Sequence, residues 1–215
     1  MNIASNIKKI KSEIPETATL VAVSKTKPNE AILEAYNSGQ RIFGENKVQE
    51  LAKKYEDLPK DIEWHIIGHL QTNKVKYIAP FVSLIHAVDS LKLLKEINKQ
   101  ALKNERAINC LLQIKIADEE SKFGLSQADA EKLIVSDEVQ QLEGIKIIGL
   151  MGMSTNTPDV NQVKKEFNSL HEFYNKYPQF NVLSMGMSGD YHMAIEQGSN
   201  MIRLGSTIFG ERNYN

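Results

Sequence analysis

The feature that most limits the possible folds is an alternation. Eight short apolar runs recur along the chain, each followed by residues with helical spacing. The strand candidates are Thr19–Lys25, Arg41–Asn46, Glu63–Gly68, Leu84–Asp89, Asn109–Ile116, Lys146–Met153, Asn181–Ser188 and Met201–Leu204. β-Branched and aromatic side chains suit a buried pleated backbone, and an intervening helix is what parallel pairing requires. The helical patterns are PNEAILEAYNSG, VQELAKKYEDL, Thr72–Ala79, LKLLKEINKQALK, QADAEKLIVS, Val160–Tyr177 and DYHMAIEQG. Ser90 and Ser126 are suited to cap two of them, Pro28 fits a first helical turn, and Gly39 fits a C-terminal cap. A further helix precedes the first strand, with Ile3, Ile7, Ile10 and Ile14 on one stripe. Eight units with no linker or low-complexity break predict an α/β fold: a single (β/α)8 TIM barrel over residues 1–215 with an N-terminal extra helix. A doubly wound open sheet is the competing arrangement, disfavoured because nothing here calls for a reversal of strand order.

The functional question starts at LVAVSKTKP, Leu20 to Pro28, where the first strand ends in polar residues. If the strand alternates, Val21, Val23 and Lys25 share a face, and a lysine on an inward face needs a partner or a task. Chemistry in such a barrel sits at the C-terminal strand ends, and phosphate sites are often built after strands seven and eight. There the sequence offers Ser188-Gly189 and Gly205-Ser206, small residues that let a backbone approach a ligand, with hydroxyl donors beside them. Arg203 alternates with Met201 and Gly205 and would point inward like Lys25, where it needs an acceptor. Of the ligands that use both a lysine amine and a phosphate cradle, pyridoxal 5′-phosphate fits best, bound as a lysine Schiff base. An arginine beside its ring nitrogen stays protonated and only donates, so the ring is left a weak electron sink.

Other signals carry less. GSTIFGE has the spacing of a P-loop, but Glu211 stands where the lysine must be. His65 and His69 form an HxxxH on a strand and loop, read as structural rather than as zinc ligands, and no metal is expected. Met151, Met153, Met185 and Met187 are expected at the barrel mouth or core. The DEES cluster reads as solvated surface. Cys110, the one cysteine, sits in an apolar run, reads as a small buried hydrophobe and allows no intramolecular disulfide. Twenty-six basic against 27 acidic residues argue against a nucleic-acid partner. No apolar run approaches the ~20 residues that span a bilayer, and the N-terminus lacks a signal-peptide core. A cytoplasmic monomer with no membrane partner is the expectation.

Taken together, VAVSKTKP, FGEN, EWHIIGHLQTNK, SKFGL, GLMGMS, SMGMSGD and IRLGSTIFGER resemble the YggS/PROSC family of pyridoxal-phosphate homeostasis proteins, in order and spacing, from about Leu20 to the C-terminus. The resemblance implies a barrel like the N-terminal domain of alanine racemase. It implies the Schiff base on Lys25 rather than Lys27, Asn46 beside the cofactor, and Arg203 near the pyridine nitrogen. Ser188, Gly189, Gly205 and Ser206 would hold the phosphate. Threonine is common in the family at position 206, and serine keeps the hydroxyl. His69 falls at a variable position of its motif and receives no role. Two functions follow: a carrier that buffers pyridoxal phosphate and delivers it to apo-enzymes, with no catalytic residues, or an amino-acid racemase-like enzyme. Racemisation needs an acid/base on each face of the substrate, and Lys25 supplies at most one. In alanine racemase the other is a tyrosine from a second domain; here only Tyr214, near a loose terminus, offers itself, so the carrier is preferred. A lysine Schiff-base enzyme without cofactor would explain Lys25 but not Arg203 and the phosphate-like strand ends.

Overall fold

The structure is a computed structural model that describes residues 2–117 and 123–211. The DEES cluster, the first two residues of SKFGL and Tyr214 lie outside the described residues. The eight strands are β1 (Thr19–Val23), β2 (Ile42–Glu45), β3 (Glu63–Ile66), β4 (Leu84–Val88), β5 (Ile108–Ile114), β6 (Ile145–Gly152), β7 (Val182–Ser184) and β8 (Met201–Leu204). They form a closed barrel in chain order, all pairs parallel, with β8 against β1. The (β/α)8 architecture expected from the alternation is therefore present. Most strands are shorter than the apolar runs, because the polar residues at their ends turn out of the ladder into the loops.

Helices cover the outside of the barrel. They are α1 (Ile3–Glu13), α2 (Asn29–Asn37), α3 (Val48–Asp57), α4 (Leu91–Lys103), α5 (Gln127–Ile134), α6 (Asp137–Gln140), α7 (Val160–Tyr174), α8 (Tyr191–Glu196) and α9 (Ser206–Phe209). Ser90 and Ser126 cap α4 and α5 through their side chains, and Gly39 ends α2 in the left-handed region. The segment expected as a helix over Thr72–Ala79 is a 3-10 helix, Thr72–Tyr77, and α6 and α9 are single turns the sequence pattern did not mark. Because α9 is so short, the sector of the ring beside β8 needs another cover. The N-terminal helix provides it: Ile3, Ile7 and Ile10 are buried, Asn6 donates to the Ile208 carbonyl at 2.9 Å, and Glu13 accepts from the Tyr191 hydroxyl at 2.9 Å.

Two apolar layers result. The larger lies between barrel and helices and includes Trp64, Phe43, Phe167 and Phe173. The smaller contains strand residues alone (Val21, Leu84, Ala87, Leu111, Met151 and Met201) and fills the barrel interior. Strict alternation is broken at two bulges, between Ile85 and Val88 in β4 and where Cys110 gives way to Leu111 opposite β6. Leu84 and Ala87 therefore reach the same interior layer despite an odd spacing. In β1 and β8 the pairing is unbroken, Val21 opposite Arg203 and Ala22 opposite Leu204. Beside the second bulge, Gly149 runs so close to β7 that a methyl there would lie 1.8 Å from the Val182 carbonyl oxygen. Gly149→Ala should therefore destabilise the barrel near the upper end of about 1–3 kcal/mol, the range for overpacking. A lower urea midpoint at an unchanged slope is the expected reading; a midpoint equal to the parent's would contradict it.

Candidate functional site

A cavity of about 840 Å³ opens at the C-terminal ends of the strands. Its lining includes Lys25, Asn46, Ser188, Gly189, Arg203, Gly205 and Ser206, so the seven residues expected to form a binding site reach the same space. Lys27, His69, Gln113, Phe123, Met153, Met187 and Glu211 also line it. Lys25, Lys27 and Arg203 face one described carboxylate, Glu211, a balance that favours an anion. The two lysines of SKTKP differ in their surroundings. The Lys27 ammonium donates to the carbonyls of Phe209, Gly210 and Glu211 at 3.0, 3.2 and 3.4 Å, which ties the end of α9 to the β1 loop. Lys25 is half-buried at the end of β1, beyond Val21 and Val23.

At the strand-seven and strand-eight rim, the Gly205 and Thr207 backbone N–H groups both point at one oxygen, the Ser188 hydroxyl, at 3.3 and 3.4 Å. Two amides that share an acceptor form the kind of nest that holds an anion's oxygens. Neither glycine is demanded by the protein itself. A side-chain carbon at Gly189 would meet nothing within 4 Å, and at Gly205 it would meet Val23 at an ordinary 3.4 Å. Neither has a positive φ. What small residues do here is leave room beside the amides, which is the requirement of a phosphate group rather than of the fold.

Arg203 is 4% exposed, inside the barrel below this rim. Its Nη1 donates to the Ser184 carbonyl at 2.9 Å and to the Ser184 hydroxyl oxygen at 2.6 Å, and its Nη2 donates to the Gly152 carbonyl at 3.1 Å. Burial brings its pKa down to about 10, opposed by the nearby Asp190 carboxylate, so it remains a cation near neutrality. The chain of contacts continues inward. His86 Nδ1 lies 3.1 Å from Ser184 Oγ, and His86 Nε2 lies 3.0 Å from His65 Nδ1. Burial lowers the pKa of His65 to about 3 and that of His86 well below its ordinary value, the latter helped by His65 and Arg203. Both rings are neutral, with one nitrogen able to donate and the other to accept; His86 uses both nitrogens in the chain and His65 its Nδ1. His65 thus has the structural place expected for it, while His86 was not marked by the sequence, where it is one apolar-flanked histidine in a strand. Among the described residues no group of three or more His, Cys, Asp or Glu is placed to hold a metal ion.

The loop that carries Lys25 is held from behind. Ser24 Oγ donates to Glu45 Oε1 at 2.6 Å, and the Lys54 ammonium donates to the Ser24 carbonyl (2.8 Å), Glu45 Oε1 (2.8 Å) and Glu50 Oε1 (2.7 Å). Glu50 Oε1 also accepts the Thr26 backbone N–H at 2.6 Å. Thr26 has φ 63°, a left-handed backbone that costs a β-branched residue about 1–3 kcal/mol. Burial raises the pKa of Glu45, while Lys54 and Ser24 oppose the rise. The sequence pattern offered no sign of this cluster: Glu50 and Lys54 stand four apart within VQELAKKYEDL, the usual spacing of a solvated pair.

The buried histidines set an acid limit. An unfolded imidazole takes a proton near pH 6.5, whereas folded His65 does so only at about 3. Between those values the unfolded state binds more protons, so stability falls as pH drops below 6.5, by up to ~1.4 kcal/mol per pH unit for each histidine. Chemical denaturation from pH 7 to 5 should show this loss, and the slope should flatten in His65→Gln. A variant slope as steep as the parent's would refute the assignment.

Residues 1–213 match the family described as alanine racemase, N-terminal domain. A protein of Aquifex aeolicus named pyridoxal phosphate homeostasis protein is 41% identical over 203 residues, covering 92% of this chain and 88% of its own. One of the same name from Vibrio alginolyticus is 38% identical over 234 residues, covering 99% of each. Among solved structures, PipY of Synechococcus elongatus PCC7942 with PLP bound superposes with a TM-score of 0.86 at 34% identity, over 97% of this chain and all of that one.

Proposed function

The chain belongs to the alanine racemase N-terminal domain family, and within it to the pyridoxal phosphate homeostasis proteins; on that premise we propose that it binds pyridoxal 5′-phosphate and serves the homeostasis of that cofactor. When bound, this group supplies an aldehyde able to condense with a primary amine. Lys25 is the amine that holds it. Arg203 meets the ring nitrogen, Asn46 flanks the ring, and Ser188, Gly189, Gly205 and Ser206 receive the phosphate. The observation that carries the reading is the convergence of these seven residues on one cavity, with paired amides at its rim and a buried guanidinium below.

Arg203 also favours carriage over catalysis. Three of its five N–H groups go to the Ser184 carbonyl and hydroxyl and the Gly152 carbonyl, which leaves others to donate a hydrogen bond to a ring nitrogen, and with a pKa of about 10 it keeps its proton near neutral pH rather than transferring it. A ring left unprotonated withdraws electrons weakly and does little to acidify a substrate carbon. We therefore read the chain as a non-catalytic carrier, one domain over residues 1–215, acting as a cytoplasmic monomer that buffers the cofactor and meets apo-enzymes transiently.

Incubation with pyridoxal phosphate, borohydride reduction and peptide mass spectrometry should place a pyridoxyl adduct on Lys25, and Lys25→Ala should lose it. A wild-type protein without that adduct would overturn the binding reading. Incubation of the loaded protein with single L-amino acids should yield no D-isomer; sustained racemisation would instead make it an enzyme.

A further inference from the structure

The chain is clamped on both sides of Lys25, and both clamps end on α3. Before Lys25, Ser24 is gripped twice, its carbonyl by Lys54 and its hydroxyl by Glu45. After it, the Thr26 N–H is held by Glu50. Lys54 sits between the two, its side chain 7% exposed and its three N–H bonds directed to Ser24, Glu45 and Glu50. A buried ion cluster is a poor device for stability alone, because apolar residues of similar volume do as well or better. This one also leaves Glu45 Oε2 buried without a hydrogen-bond partner among the described residues. What ions and hydrogen bonds add over apolar packing is direction: each fixes an angle as well as a distance. Here the angles fixed are those of the two residues adjoining the lysine, one of them in a strained backbone conformation that would otherwise relax.

We propose that Lys54, with Glu45 and Glu50, is a positioning group that aims Lys25 at the cavity and so sets how readily its amine bonds to an aldehyde held by its phosphate. The inference rests on the proposed function and adds residues to it. None of the three lines the cavity, so they act through the backbone they hold rather than on the reacting atoms. The step they serve is balanced without a further reactant. Lys25 reacts as the neutral amine; its nitrogen forms the C=N bond, and its two N–H protons leave with the aldehyde oxygen as one water. Bringing an amine and a carbonyl to reacting distance is sensitive to placement, whereas docking a phosphate on the amides of the adjoining β7–β8 rim, which none of the three residues touches, is less so.

Two ligands separate these contributions: pyridoxal 5′-phosphate, and pyridoxine 5′-phosphate, which keeps the ring and phosphate but has an alcohol in place of the aldehyde. In Lys54→Met the rate of borohydride-trappable adduct formation at Lys25 should fall roughly ten- to hundredfold, the cost of a small misplacement. The dissociation constant for pyridoxine phosphate should stay where it is in wild type, and Lys54→Arg should recover part of the rate. Glu50→Ala, at a side chain 25% exposed, releases the Thr26 clamp and one of the three Lys54 partners but leaves Lys54 on Ser24 and Glu45; it should show the same split more weakly, which decides the matter if Lys54→Met does not fold. Variants that form adduct at the wild-type rate would overturn the proposal, as would equal losses with both ligands. A wild type that forms no adduct at Lys25 would instead sink the cofactor reading beneath it.

Discussion

The site depends on the parallel register between the first strand and the last. Val21 lies opposite Arg203 and Ala22 opposite Leu204, and that pairing closes the barrel. It also brings two segments almost two hundred residues apart in sequence to a common rim. With this register Val21 and Arg203 share one interior level, Gly205 comes beside Val23, and the SKTK loop adjoins the Gly-Ser turn at the cavity mouth. A slip of one residue would turn Arg203 out of the barrel and place Leu204 within it. The register is held from outside as well, since α1 covers the sector where a full eighth helix is lacking, and Lys27 binds the end of α9 to the β1 loop.

Around that register the polar groups divide into two networks of opposite character. Below the cavity, Arg203, Ser184, His86 and His65 form a line with one charge, carried by the residue nearest the ligand space, and two neutral rings behind it. Behind the lysine loop, Lys54, Glu45 and Glu50 form a charged cluster that grips backbone. The first network presents a fixed donor; the second holds the loop on which an amine is mounted. Each is buried and would be costly if half-made.

Much of this could be read from the chain and some could not, for identifiable reasons. Lys25 and Arg203 were legible because β1 and β8 alternate without interruption, so a polar residue on an inward face stood out against valines and methionine. His86 was not, because a histidine flanked by apolar residues in LIHAVD reads as an ordinary strand position, and its partners His65 and Ser184 come from other strands distant in sequence. Lys54 was hidden for a different reason. A lysine four residues after a glutamate on an amphipathic helix is the usual pattern of a solvated pair, and only the packing of α3 against the end of β2 makes it 5% exposed. The N-terminal isoleucine stripe predicted a helix correctly, but its place in the ring follows from the shortness of α9, which no local pattern announces.

The strand-only cluster of Val21, Leu84, Ala87, Leu111, Met151 and Met201 has a consequence for traffic. Together with the Arg203–Ser184–His86–His65 line it fills the barrel interior, and the cavity opens at the C-terminal strand ends. Whatever enters that cavity and whatever leaves it share one doorway. Passage is then governed at the rim, where Phe123 and Met187 stand exposed, and side chains there can be altered without disturbing the layer beneath.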